Sequence, residues 1–299
     1  MHRLALLAIL VAACGDDGVT PADAATAKPA PPPVIHIHDA VEFPDFDAGF
    51  CRGSMVPVQD PVFPTIRRDR FAVDADDIVQ IPEDWKTETK QTRGPQLHAA
   101  AAERLPVLLA KVQELVRPFD QRDFDYLFFL CPYFGGGTAS AKVFPMFMYL
   151  RAAVGDLAWP DFLFTDQYLL HEVLHNFVLE RVDYTKGTPT LNDLYRTLIA
   201  DAEFTAAWMA YLGDTPATPP EKLAQHQTEM VGTVLTHVHV YAIMTITLRA
   251  LGEEDRLQTI RSYETGHPAA HPSYVKAWQV VIGLEHDSAA LGRVIAEAR

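Results

Sequence analysis

Thr165-Asp166-Gln167-Tyr168-Leu169-Leu170-His171-Glu172-Val173-Leu174-His175-Asn176-Phe177-Val178-Leu179 is the stretch on which the reading of this chain turns. Leu170, Val173, Leu174, Phe177 and Val178 recur at spacings of three and four, the period of a helix with one apolar face, and Thr165 or Asp166 can cap its start. Inside it lies His171-Glu172-Val173-Leu174-His175, an HExxH pattern. Residues four apart lie on one helix face, so both imidazoles can reach one ion, with Glu172 beside them. Neutral imidazoles suit Zn²⁺, which takes nitrogen and carboxylate ligands in a tetrahedral shell. A helix this apolar is expected to be buried, where unpartnered histidines and a glutamate are costly, and a metal would partner them. The competing reading is a pair of core histidines bonded to backbone, with Glu172 at a solvent edge. With 12 histidines in 299 residues the bare pattern can arise by chance, so the helical context carries the argument.

A catalytic zinc needs three protein ligands and one open position. Glu203, in Leu198-Ile199-Ala200-Asp201-Ala202-Glu203-Phe204-Thr205-Ala206-Ala207-Trp208, has Ile199, Ala200, Ala206 and Ala207 three and four residues away. On one continuous helix that small, apolar face should pack against a neighbour, and a carboxylate there needs a partner. Asp201 lies between Thr197 and Thr205, on a more polar stripe. Asp193 reads either as a ligand or as an acid favoured by the dipole at a helix N-terminus. All three stay open as the third ligand, with Glu203 preferred.

His171-Glu172-Val173-Leu174-His175 together with the later helix bearing Glu203 resembles the gluzincin group of zincin-type zinc metallopeptidases. The related metzincin pattern needs a glycine and a histidine where this chain has Val178 and Arg181. In the aspzincin pattern an Asp follows a Gly-Thr pair; Gly187-Thr188 precedes Asp193, at a spacing that does not match. The gluzincin resemblance implies an α+β, zincin-like fold: a small N-terminal sheet followed by a mainly helical C-terminal half. It implies Zn²⁺ on His171, His175 and Glu203, a zinc-activated water with Glu172 as general base, and peptide bonds as substrate. A Tyr or His from a downstream helix would stabilise the oxyanion; His237 and Tyr241, four apart on one face of a long helix, are the candidates, while His239 points elsewhere. The acidic residue often found four positions after the glutamate ligand is Ala207 here, which leaves the support of the metal-binding histidines unassigned. Zincins commonly seat an extended peptide along an edge strand beside the motif helix. Tyr126 to Cys131 is the expected strand and Gly135 to Gly137 its rim. Two other functions fit the same pattern: a non-catalytic binding lipoprotein of zincin fold, and a zinc hydrolase of a non-peptide amide or ester. The intact Glu172 favours catalysis.

Net charge is −14 and the sequence pI about 5.2, which excludes a broad phosphate-binding surface and argues against nucleic acid as a partner. At the N-terminus, His2 and Arg3 precede an apolar stretch, Leu4 to Ala13, too short to span a bilayer. Val11-Ala12-Ala13-Cys14 resembles a bacterial lipobox. That implies residues 1–13 as a lipoprotein signal peptide, a lipid on Cys14 as the membrane tether, and an exported protein, periplasmic or on the cell surface. Residues 14–45 read as a Pro/Ala-rich linker, with a short strand in Val34-Ile35-His36-Ile37-His38, and residues 46–299 as the metallopeptidase domain. Cys51 and Cys131 can pair in an exported compartment, or Cys131 can be a buried thiol.

Further helices are expected over 96–116, with Pro106 inside, and over 191–212, 221–251, 254–263 and 271–298. Residues 142–150 read as a strand or a short helix.

Overall fold

The computed structural model describes residues 31–39, 94–119, 123–131, 136–140, 143–151, 162–175, 189–266 and 271–297. Two of the expected features, the Cys14 lipobox and Cys51, lie outside them. Strand β1 (Val34–Asp39) leads to helix α1 (Gly94–Leu115), β2 (Asp123–Cys131), β3 (Gly136–Ser140) and β4 (Val143–Arg151). A π-helical segment, Leu163–Leu169, runs directly into α2 (Leu170–Leu174). Helices α3 (Pro189–Ala200), α4 (Ala202–Tyr211), α5 (Pro220–Ala250), α6 (Glu254–Gly266), α7 (Pro272–Leu284) and α8 (Ser288–Glu297) follow. From residue 162 onward every described element is a helix.

The sheet order is β1-β2-β4-β3. β1, β2 and β4 are mutually parallel, and β3 runs antiparallel to β4 at the edge. Two expectations change here. Residues 34–39, inside the stretch read as linker, form a strand paired along its whole length with β2, so the folded part begins before residue 46. The 126–131 run is an interior strand, flanked by β1 and β4; the edge strand beside the motif helix is β3. A run without polar alternation suits an interior strand of a parallel sheet better than an edge.

Pro106 does not end α1, which continues to Leu115. A proline frees the carbonyl four residues back, and here both Pro106 and Ala102 face outward, where water can bond the freed group. The opposite face, Leu97, Ala101, Leu105, Leu108 and Val112, is buried.

Helix α5 is the centre of the helical half and touches every other described helix. It is long and apolar enough to cross a membrane by composition, yet 78% of its most apolar window is buried inside the protein, so it serves as a core helix. Met230, Val231, Val234, Leu235, Val238, Ala242 and Leu248 are all buried along it.

Candidate metal centre

The motif helix starts earlier and more tightly enclosed than its sequence suggests. Thr165 and Asp166 do not cap it; both are buried in the π segment. Such segments are rare and frequent near functional sites. Asp166 meets two arginines from different helices: Arg104 on α1, through paired bonds of 3.1 and 3.0 Å, and Arg256 on α6, at 3.2 Å. Arg104 also pairs with Glu253. A buried carboxylate needs such donors, and here they fasten the start of the motif helix to two neighbours.

His171 and Glu172 are buried, and His175 is half-buried at the end of α2. His237 comes from the buried middle of α5, which packs against α2. One nitrogen each of His171, His175 and His237 lie within 4.8 Å of one another. The ring centroids are 4.9 Å apart for His171 and His175, and 5.1 Å from each to His237. A triangle of 4.8 Å sides has its centre about 2.8 Å from each corner, against zinc–nitrogen bonds of about 2.0–2.1 Å, so shifts under ~1 Å close it on an ion. His237 Nδ1 lies 2.7 Å from the Thr233 carbonyl oxygen. Donating there fixes the tautomer and leaves Nε2 as the lone-pair nitrogen, the arrangement a metal-binding histidine needs.

The electrostatics agree with that use. Burial holds the His171 imidazole well below its ordinary pKa, His175 at about 4 and His237 at about 3, with mutual repulsion adding to the effect at His171 and His237. All three are neutral at pH 7 and available as ligands. Burial, then the neighbouring Glu264, raises Glu172 to about 8, and Glu172 Oε2 has no hydrogen-bond partner among the described residues. An orphaned carboxylate oxygen beside three neutral imidazoles fits a site made for a cation and a polarised water.

Tyr241 shares the α5 face with His237, as expected, at 5.8 Å between rings, and lies 5.5 Å from the His171 ring. It stacks on Trp278 at 4.1 Å. Its hydroxyl lies beside the Glu264 carboxyl without a hydrogen bond of ordinary geometry. Burial raises its pKa well above the usual phenol value. His239 faces away and bonds the Leu235 carbonyl.

No family model, curated protein or solved structure matches this chain.

The expected third ligand, Glu203, is corrected. Glu203 is exposed and lies outside the histidine group. The expected single helix over 191–212 breaks at Asp201, whose backbone is extended and whose side chain accepts a 2.9 Å bond from Phe204 N to start α4. Ile199 and Ala200 therefore do not share a helix with Glu203, and Ala206 and Ala207 face solvent with it. Asp201 is spent on that cap and on a salt bridge to Lys276. Asp193 is exposed near Arg196. The residue whose ring nitrogen joins those of His171 and His175 is His237, which the sequence suggested only as an oxyanion donor.

Four residues of the site were missed: Gln167, Glu264, Tyr274 and Trp278. Gln167 Nε2 donates to Glu264 Oε1 at 2.8 Å, and Trp278 Nε1 donates to Glu264 Oε2. The Tyr274 ring is 4.4 Å from His237. Tyr274 and Trp278 stand four apart on α7, the same spacing that drew notice at His237 and Tyr241. Glu264 carries no comparable signal in sequence.

Proposed function

We propose that this chain is a zinc-dependent hydrolase of zincin type that cleaves peptide bonds, with His171, His175 and His237 as metal ligands and Glu172 as general base. One observation carries the reading: three neutral, converging imidazole nitrogens beside a buried carboxylate with an unpartnered oxygen. Zn²⁺ bound there would polarise a substrate carbonyl and acidify a water. A cation beside it would favour the ionised form of Glu172, which would then accept the proton of the attacking water and pass it to the leaving amine. Tyr241 and Tyr274 keep their phenolic protons at neutral pH, since burial raises both, so each is a donor for negative charge that develops on the carbonyl oxygen.

The topology favours a peptide over a smaller amide or ester. β3 is antiparallel, lies against the motif helix, and pairs among the described strands with β4 alone. Its other edge offers backbone groups to an extended chain, which is how a zincin-like site would hold its substrate. A histidine in place of the gluzincin glutamate sets the ligand set apart from that group. Cys14 as a lipid anchor and export from the cytoplasm complete the reading.

Purified chain should hold about one zinc per molecule and cleave an unstructured peptide mixture, with fragments identified by mass spectrometry. A zinc-loaded chain without hydrolytic activity would favour the binding-module alternative.

A further inference from the structure

A divalent ion held only by neutral imidazoles carries its full double charge into the protein, and burying uncompensated charge is costly. An imidazole binds a metal through a neutral nitrogen, so His171, His175 and His237 would contribute none. Glu172, next to His171 and buried with an unpartnered oxygen among the described residues, is one carboxyl placed to offset a bound ion. The second is placed by the fold: from α6, Glu264 is bonded by Gln167, four residues before His171, and by Trp278, whose ring stacks at 4.1 Å on Tyr241, itself 5.5 Å from the His171 ring. Glu264 keeps some solvent-accessible surface, yet its carboxyl sits among enough protein atoms to be desolvated. Its hydrogen bonds come from neutral donors, Gln167 and Trp278, and no lysine or arginine among the described residues pairs with it. This contrasts with two other enclosed acids. Asp166 has Arg104 and Arg256, and Glu285 has Arg249 and Arg261. Two enclosed carboxyl groups without a cation therefore face three neutral ligands.

We propose that Glu264 is the second counter-charge of the metal centre: a positioning residue that never touches the ion and sets its affinity through charge. The inference rests on the zinc reading above and deepens it, because it assigns the site to a doubly charged ion.

The surroundings allow a clean test. Gln167 Oε1 is buried without a partner among the described residues, so its amide can turn over when Glu264 becomes an amide. Glu264→Gln then retains hydrogen bonds to both Gln167 and Trp278 and removes only charge. The double variant Gln167→Glu/Glu264→Gln moves the carboxylate across the same hydrogen bond and keeps the donors satisfied. Zinc affinity would be read by titrating the metal-stripped whole chain with Zn²⁺ against a chromogenic chelator, alongside the melting temperature of the metal-free form. Glu264→Gln should bind zinc about 10–100-fold more weakly, the range for outer-shell partners, with no fall in metal-free melting temperature. The double variant should regain most of that affinity. Unchanged affinity in Glu264→Gln overturns the proposal, as does a loss that the double variant does not recover. A native chain that binds no zinc overturns the functional reading itself and is told apart by being seen before any variant is made.

Discussion

At the scale of single residues the proposed chemistry falls on Glu172 and His237, and each can be separated from its neighbours. Glu172→Gln keeps the ligand nitrogens and removes the base, so zinc content should hold while kcat falls about 10²–10⁴-fold, the usual range for a general base. His237→Ala should lose the metal under mild chelation, whereas Glu203→Ala should retain it; zinc measured after dialysis decides between them. Retention in the first and loss in the second would return the third-ligand role to Glu203.

Titration of these buried groups also fixes the pH dependence of the metal-free chain. The histidines have folded pKa values below the ordinary 6.5, about 4 for His175 and about 3 for His237, so the unfolded chain binds more protons as pH falls. Their stability contribution is complete above pH 6.5 and is lost as pH drops toward 4 and 3. Glu172 has the opposite sign: raised from 4.5 to about 8, it contributes stability below pH 4.5 that is lost as pH rises through 8. The imidazoles outweigh the raised carboxyls between 4.5 and 6.5; above that Glu172 acts, together with Glu264, which burial also raises. Metal-free melting temperature should therefore peak near pH 6.5, and Glu172→Gln should flatten the alkaline side of the curve. An unchanged alkaline slope in that variant would contradict the raised Glu172.

At the scale of elements, the π segment and the broken α3–α4 helix decide where the site residues point. Asp166 is fully buried between Arg104 and Arg256. Asp166→Ala leaves two guanidinium groups without that partner, Arg104 still holding Glu253, and should cost about 3 kcal/mol in urea unfolding. Asp201→Ala removes a helix cap and the Lys276 bridge; a loss of about 1–2 kcal/mol with zinc content unchanged is expected, and a loss of zinc would make Asp201 a ligand after all. Sequence reading handled these elements unevenly for a physical reason. Periodicity located the helix around His171 and the long helix around His237, because burial imposes a period on apolar residues. It ran α3 into α4 because Asp201 is one polar residue in a helical pattern, and only its extended backbone reveals the cap.

For the whole molecule, the proposed ligands join two distant stretches, α2 and α5, so metal binding should couple to global stability. Stripping zinc should lower the melting temperature, with ~2.7 kcal/mol of stability lost for a chain that had been held at 100 times its dissociation constant. Calorimetry with and without chelator measures this, and an identical melting temperature would mean that the histidine cluster holds no ion. The sequence alone determined the motif, its helical setting, the face shared by His237 and Tyr241, and the mainly helical second half, all of which follow from spacing along one element. Only tertiary structure decided that His237 joins His171 and His175, that Glu203 faces water, that β3 is the edge beside the motif helix, and that Glu264 bonds Gln167 and Trp278. Those facts depend on how α5, α6 and α7 pack on α2, and packing brings together residues whose separation along the chain carries no period to read.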